Sequence, residues 1–293
     1  MSLIGTMGSG VSALQTFEKG LEVIGNNIAN VNTTGFKSAS ATYSSSFSNI
    51  LQMSSPAPAS GNGSDTSTVE IGTGVNLSGI NTNFNQGSLS PTGNPTDLGI
   101  SGNGFFVVKN PADGTTFATR AGDFRMDSQG YLVTSQGYRV QGLTGGTAGS
   151  APGTVGDIKL GTPPAGTQLQ SFTIDGSGNV VESYSDGTSA TTNQVLMQNF
   201  QDPTALVSIG NNLFSGMGSA QPISGSLTLS AAANTPGVSG LGTIQSGTLE
   251  LSNVDLTNEF ANLITTQRSF EAGSRLITVS DTMLEDIVNL KTR

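Results

Sequence analysis

The feature that most constrains this chain is its last stretch, Asn253 to Arg293. Leu256, Phe260, Leu263, Gln267, Phe270, Ser274, Ile277, Asp281, Leu284 and Val288 follow one another at spacings of four and three. A heptad stripe held that long is the period of a helix packed lengthwise on another helix. The stretch has no Pro, and Gly273 is its only Gly. Ser252 and Asp255 supply a capping start, and Lys291 and Arg293 stand at the negative end of the helix dipole. Roughly 35 residues at about 1.5 Å each make a rod on the order of 50 Å long. One such helix cannot bury its own stripe, so the rest of the chain must supply a partner. Gln267, Ser274 and Asp281 recur on the seam where a partner in the same chain favours apolar residues. That side is expected to face other subunits or water.

The partner lies at the opposite end. Leu3, Met7, Gly10, Leu14, Phe17, Leu21, Ile24, Ile28 and Val31 repeat the same spacing. Gly5, Gly8, Gly10, Gly20 and Gly25 each cost this helix about 1 kcal/mol relative to Ala. The helix is therefore expected to be stable only when packed. Asn26, Asn27 and Asn30 read either as a fraying end or as amides that hydrogen-bond across a helix–helix contact. Asn32-Thr33-Thr34-Gly35 reads as the stop, with Gly35 free to turn left-handed.

Between the helices the pattern is β. Residues 35–70 are rich in Ser, Gly and Pro and read as an extended connector without a core of its own. Short strands follow from 71 to 251, among them Phe105-Phe106-Val107-Val108 and Phe172-Thr173-Ile174. Turns at 110–114, 127–130 and 175–178 separate them, and a Gly/Thr/Pro-rich bridge spans 142–168. The expected fold is thus α+β. Long helices at 1–34 and 252–293 pair as a coiled coil, with an all-β domain inserted between them.

Composition narrows the chemistry. The chain has no Cys, His or Trp, which removes thiolate and imidazole metal sites and every scheme with a His base or Cys nucleophile. A net charge of -9 argues against nucleic acid. No stretch approaches the roughly 20 apolar residues of a membrane span, and the first residues do not read as a signal peptide. Asp175, Ser177, Asn179 and Asp186 imitate part of a calcium loop, but Val180 stands where that loop needs Gly. Asp113, Asp123 and Asp127 fall at turns, where Asp serves its own backbone. No cofactor or metal site is expected.

Three stretches carry a family resemblance. Asn26-Asn27-Ile28-Ala29-Asn30-Val31-Asn32-Thr33-Thr34-Gly35-Phe36-Lys37 resembles the N-terminal signature of bacterial flagellar rod and hook proteins. Asp97 to Val108, continued by Thr119-Arg120-Ala121-Gly122-Asp123-Phe124, resembles their central block, and Gln267-Arg268-Ser269-Phe270-Glu271-Ala272 through Leu284 resembles their C-terminal helix. Ser252-Asn253-Val254-Asp255-Leu256 and Asn211-Asn212-Leu213-Phe214 are similar to hook wording, although the bridge is too short to hold the outer domain usual in hook proteins. The resemblance implies a subunit of the flagellar hook that self-assembles into a hollow, flexible helical tube transmitting motor torque. The alternative is a distal rod subunit, a rigid drive shaft. A secreted glycan-acting β-domain enzyme is a remote alternative. The resemblance further implies helices disordered before assembly and type III export without a cleaved signal, to a place in the basal body or hook outside the cell. Rod proteins, hook-filament junction proteins, the hook cap and the export machinery are the implied partners, with no nucleic acid and no membrane insertion. The residues expected to pack between helices or subunits are Leu14, Phe17, Leu21, Ile24, Asn26, Asn27, Ile28 and Asn30 on one helix. On the other they are Leu256, Phe260, Leu263, Gln267, Phe270, Ile277, Leu284 and Val288.

Overall fold

The computed structural model of the protein describes residues 3–55, 65, 67–146, 153–161 and 167–291. Parts of the expected connector (56–64 and 66) and of the expected bridge (147–152 and 162–166) lie outside the described residues. So do the Lys291 and Arg293 side chains invoked at the helix end. The protein is α+β, with a helix at each end and β structure between them. It divides into a helical unit (residues 1–29, 39–82 and 255–293) and a β unit (30–38 and 83–254).

In the helical unit, the N-terminal helix runs Leu3–Ala29 and the C-terminal helix Leu256–Lys291. Asp255 caps the second helix, its Oδ1 accepting the Thr257 N–H at 2.9 Å. The two helices run antiparallel. Thr6 meets Ser280 (3.5 Å between hydroxyls), and Asn27 donates to Glu259 Oε1 at 3.1 Å. Between these ends, Gly10 lies against Ile277, Gly273 against Leu14 and Gly20 against Thr266.

These contacts put the seam partly off the expected apolar stripe. Along the C-terminal helix the positions withdrawn from solvent are Glu259, Leu263, Thr266, Ser269, Phe270, Gly273, Ile277, Ser280 and Leu284. Leu263, Phe270, Ile277 and Leu284 are shared with the apolar stripe. The alternate positions are shifted by one residue, to Glu259, Thr266, Gly273 and Ser280 in place of Phe260, Gln267, Ser274 and Asp281. The physical reason is close approach. A Cβ at Gly10 would stand 3.0 Å from Ile277 Cγ1, so the helices touch through small residues that a count of apolar positions passes over.

The first helix ends at Ala29, earlier than the expected stop. Gly35 does adopt φ +66°. It serves a later close approach, since a Cβ there would lie 2.6 Å from the Ala121 nitrogen. The stretch read as a connector is paired into an arm. Ala39–Ser45 is antiparallel to Val75–Thr82, and Ser48–Gln52 to Val69–Gly72. Hydroxyls of the first helix fasten this arm: Ser9 donates to Thr73 O at 3.0 Å and Thr16 to Val75 O at 3.2 Å. The arm carries little core, and Phe47, Leu51 and Met53 are strongly exposed.

The β unit is an antiparallel sheet. Its main path runs through Leu169–Ile174, Asn179–Tyr184, Ser189–Val195, Arg139–Thr144, Phe105–Lys109, Thr116–Thr119, Leu213–Ser215 and Val207–Gly210. The expected bridge contributes a strand of its own, Thr154–Asp157, paired with Arg139–Thr144. Phe105 and Phe106 point to opposite faces of one strand, and both are buried. Phe106 joins Leu98, Ile100, Leu132 and Ile158 in the larger core, while Phe105 joins Phe200, Phe214 and Leu206 in a second. A strand buried on both faces must be apolar throughout, which is why this run does not alternate.

Candidate functional site

Two of the stretches that carry the family resemblance, the first and the central block, contribute a buried cation each to one cluster inside the β unit. Lys37 ends the first of them. Its Nζ lies 2.7 Å from Glu250 Oε1 and donates to Asn85 O at 2.8 Å. Arg120, from the central block, approaches Glu250 Oε2 at 3.3 Å and donates to Gly102 O at 2.8 Å, with its guanidinium 5.4 Å from the Phe105 ring centre. All three charged side chains are buried. Gly87 N–H also donates to Glu250 Oε1 (2.8 Å), and Gly35 N–H to the Glu250 carbonyl (2.8 Å).

Burial pulls the Lys37 ammonium below its ordinary pKa, and the hydrogen bond and charge of Glu250 oppose that pull. Burial does the same to Arg120, again opposed by Glu250. Two cations share one carboxylate, and Arg120 Nε is buried without an acceptor among the described residues. Glu250 is therefore the group on which the burial of both cations depends. Sequence reasoning missed this cluster. Lys37 and Glu250 are 213 positions apart and Arg120 and Glu250 are 130, so no local spacing announces them.

Other resemblance residues bind the same region. Asn253 accepts from Ser38 N–H at 2.8 Å and donates to Asn83 O at 2.8 Å and Asn85 O at 3.0 Å. Asn211 and Asn212 take left-handed backbone (φ 52° and 56°), and Asn212 donates to Thr34 O at 2.6 Å. These motifs do structural work. The Asp residues weighed for chemistry serve turns: Asp175 Oδ1 accepts Ser177 and Asn179 N–H at 2.9 Å each, and Asp113 accepts Thr115 N–H at 3.0 Å. Among the described residues, no group of three or more His, Cys, Asp or Glu could hold a metal ion. Among the described residues, no helix is long and apolar enough to cross a membrane.

The expected packing residues divide within the helical unit. Ile24 and Asn27 are buried, while Leu14, Phe17, Leu21, Ile28, Leu263, Phe270, Ile277 and Leu284 are half-buried. Asn27 uses both ends of its amide, donating to Ala39 O (2.7 Å) and accepting from Ala39 N–H (3.0 Å), which accounts for an Asn in the last turns. Asn26 is exposed. Asn30 belongs to the β unit and accepts from the Thr33 hydroxyl at 3.0 Å. Leu256, Phe260, Gln267 and Val288 are exposed, as are Ile264, Leu276, Val279, Met283, Ile287 and Leu290 of the same helix. Leu290 is 76% exposed and Val288 60%. That many exposed large apolar side chains on one helix is more than scattered surface residues account for, and fits a helix covered by contacts with other chains.

A β unit closed by a buried charge cluster, beside a C-terminal helix with many exposed apolar side chains, fits a structural protein. Family models agree. Residues 7–37 match the flagella basal body rod protein family, 99–182 the flagellar hook protein FlgE/F/G D1 domain, and 245–290 the flagellar basal body rod FlgEFG protein C-terminal region. The flagellar basal-body rod protein FlgG of Bacillus subtilis is 39% identical over 97% of this chain and 97% of its own length. That of Borreliella burgdorferi is 34% identical, over 99% of each. The flagellar hook protein FlgE of Borreliella burgdorferi is 25% identical, over 97% of this chain and 98% of its own. The chain belongs to the flagellar rod and hook protein family, a family of structural proteins. Within that family these relatives favour the rod over the hook.

Proposed function

We propose that the chain is a distal rod subunit of the bacterial flagellar basal body, self-assembling into a hollow, straight helical shaft that transmits torque. The observation that carries this reading is the exposure of large apolar side chains along the C-terminal helix, among them Phe260, Ile264, Leu276, Met283 and Leu290. The fraction of identity shared with rod-named relatives, set against the hook-named one, supports rod over hook. In this reading residues 1–34 and 252–293 form the inner tube as coiled-coil pairs. Residues 35–70 are the connector and 71–251 the β domain. Neighbouring copies are the main partners, with other rod proteins, the hook and the export machinery at the ends. The chain leaves the cell by type III export without cleavage of a signal.

Purified protein concentrated until it polymerises and viewed by electron microscopy tests the proposal. A straight, stiff tube is expected. A curved, bendable tube would return the hook reading, and the absence of any tube would sink both.

A further inference from the structure

Within the helical unit, a cavity of ≈ 300 Å³ opens beside the helix pair, lined by Gly20, Ser40, Tyr43, Glu259 and Thr266 among others. Glu259 is its only carboxylate. One oxygen, Oε1, accepts from Asn27 at 3.1 Å. Among the described residues no cation pairs with Glu259. Burial lifts its carboxyl above the usual range. The Asn27 hydrogen bond works against that rise, and the nearby Asp255 charge adds to it. The cavity therefore offers a partly desolvated carboxylate without a counter-ion, beside the ring and hydroxyl of Tyr43. An arginine side chain suits such a lining: its planar fork donates to carboxylate and hydroxyl oxygens while its face lies on an aromatic ring.

The chain carries such a group where it cannot reach its own cavity. Arg268 is exposed and, among the described residues, forms no ion pair. It stands nine positions after Glu259 on the same helix. At about 100° and 1.5 Å per residue, that places it half a turn away, on the opposite face, and about 13 Å along the axis. Lys19, on the other helix, is already engaged with Glu22 at 2.9 Å. A socket on one face of a helix and a plug on the opposite face make a heterologous contact, which extends from copy to copy and leaves an open end each time.

We propose that the Glu259 cavity receives the Arg268 side chain of a second copy of this chain. This rests on the self-assembling reading above.

The test is the protein concentration at which full-length chains polymerise, read by sedimentation. Wild-type protein is measured first, and its failure to polymerise would overturn the self-assembling reading and this contact together. Given a wild-type polymer, Glu259→Arg and Arg268→Glu should each raise that concentration about tenfold or more, because each sets like charges face to face. An equimolar mixture of the two should return to within about twofold of wild type, since each variant then supplies the charge the other needs. Only a contact between chains can be rescued by mixing. Single variants that polymerise like wild type, or a mixture no better than either, would overturn the contact while leaving self-assembly intact. Should Glu259→Arg fail to fold, the milder Glu259→Gln and Arg268→Gln decide the matter. A double variant no worse than either single supports the pairing, and additive losses refute it.

Discussion

The β unit and the helical unit bury opposite kinds of chemistry. In the β unit Phe106, Leu132, Val140, Ile158 and Leu196 are fully withdrawn from solvent, and apolar clusters fill both faces of the central strand. Among the described residues of the helical unit, Ile24 is the only buried large apolar side chain, and it is still 9% exposed. The other buried positions there include Thr16, Asn27, Ser280 and the glycines at 10, 20 and 273. The other large apolar residues of that unit are half-buried or exposed. A unit that buries hydroxyls and glycines gains little from the hydrophobic effect, which scales with apolar area removed from water. The β unit is built to stand alone, and the helical unit is built to be finished by contacts it does not itself contain.

The sharpest break of that contrast is a matched pair of truncations. Phe106→Ala should cost the β unit about 3–5 kcal/mol, seen as a lower denaturant midpoint for unfolding. Phe260→Ala, at an exposed position of the C-terminal helix, should move the same midpoint by less than about 0.5 kcal/mol while raising the concentration needed to polymerise. Equal losses of stability would mean that Phe260 is packed within the monomer. Deleting residues 281–293 extends the comparison: assembly should be lost, while the near-ultraviolet signal of the β unit survives.

Next in size is the Lys37–Arg120–Glu250 cluster. Glu250→Gln leaves two buried cations without a counter-charge and should cost about 3 kcal/mol. Replacing all three together with Met, Met and Leu removes every buried charge and should restore stability to near wild type, because the apolar set has no desolvation to offset. A triple variant as weak as the single would show that the cluster specifies geometry which apolar packing cannot reproduce.

The same contrast explains what could be read from the sequence. The end helices were legible because a four–three spacing survives any local noise. The strand runs were legible because Phe105 to Val108 and Phe172 to Ile174 stand between clear turn residues. The seam was legible only in half. Leu263, Phe270, Ile277 and Leu284 announce themselves, whereas Gly273 and Ser280 bury by being small, a property that apolar counting does not score. The arm formed by 39–52 and 69–82 hid in a Ser- and Gly-rich stretch because its pairing is made by backbone. The buried cluster had no local signal at all, since its members are joined by the fold alone. In the candidate site, the polar positions Gln267, Ser274 and Asp281 hinted at an outward side, and they are exposed.

Glycine substitutions probe the helical unit at a finer scale. A Cβ at Gly5 meets nothing within 4 Å, whereas one at Gly10 stands 3.0 Å from Ile277. Gly5→Ala should therefore gain the helix propensity of Ala, about 1 kcal/mol, and raise the monomer's helical signal. Gly10→Ala should gain less or lose, because Ile277 must move. Identical gains at both positions would argue that the helices are not held together in the monomer.

The smallest effect expected lies in the β unit, at the half-exposed pair of Arg139 and Asp157, 2.9 Å apart. Burial raises the Asp157 carboxyl, but hydrogen bonds from Gln141 (2.7 Å) and Arg139 outweigh it, and the net shift is downward. A carboxyl whose pKa is depressed on folding contributes stability that is present above its unfolded value. That contribution is lost as pH falls through the folded value. Asp157→Asn should thus cost about 0.5–1 kcal/mol at neutral pH, and the difference from wild type should shrink as the solution is acidified below the ordinary carboxylate range. Arg139 also lies 3.9 Å from the Tyr131 ring centre, so it keeps one partner when the carboxylate is neutral. That residual contact is why the loss should stay well below that of Glu250, whose removal strands two buried cations. A difference between Asp157→Asn and wild type that persists unchanged into acid would place the effect in packing and take the charge out of the account.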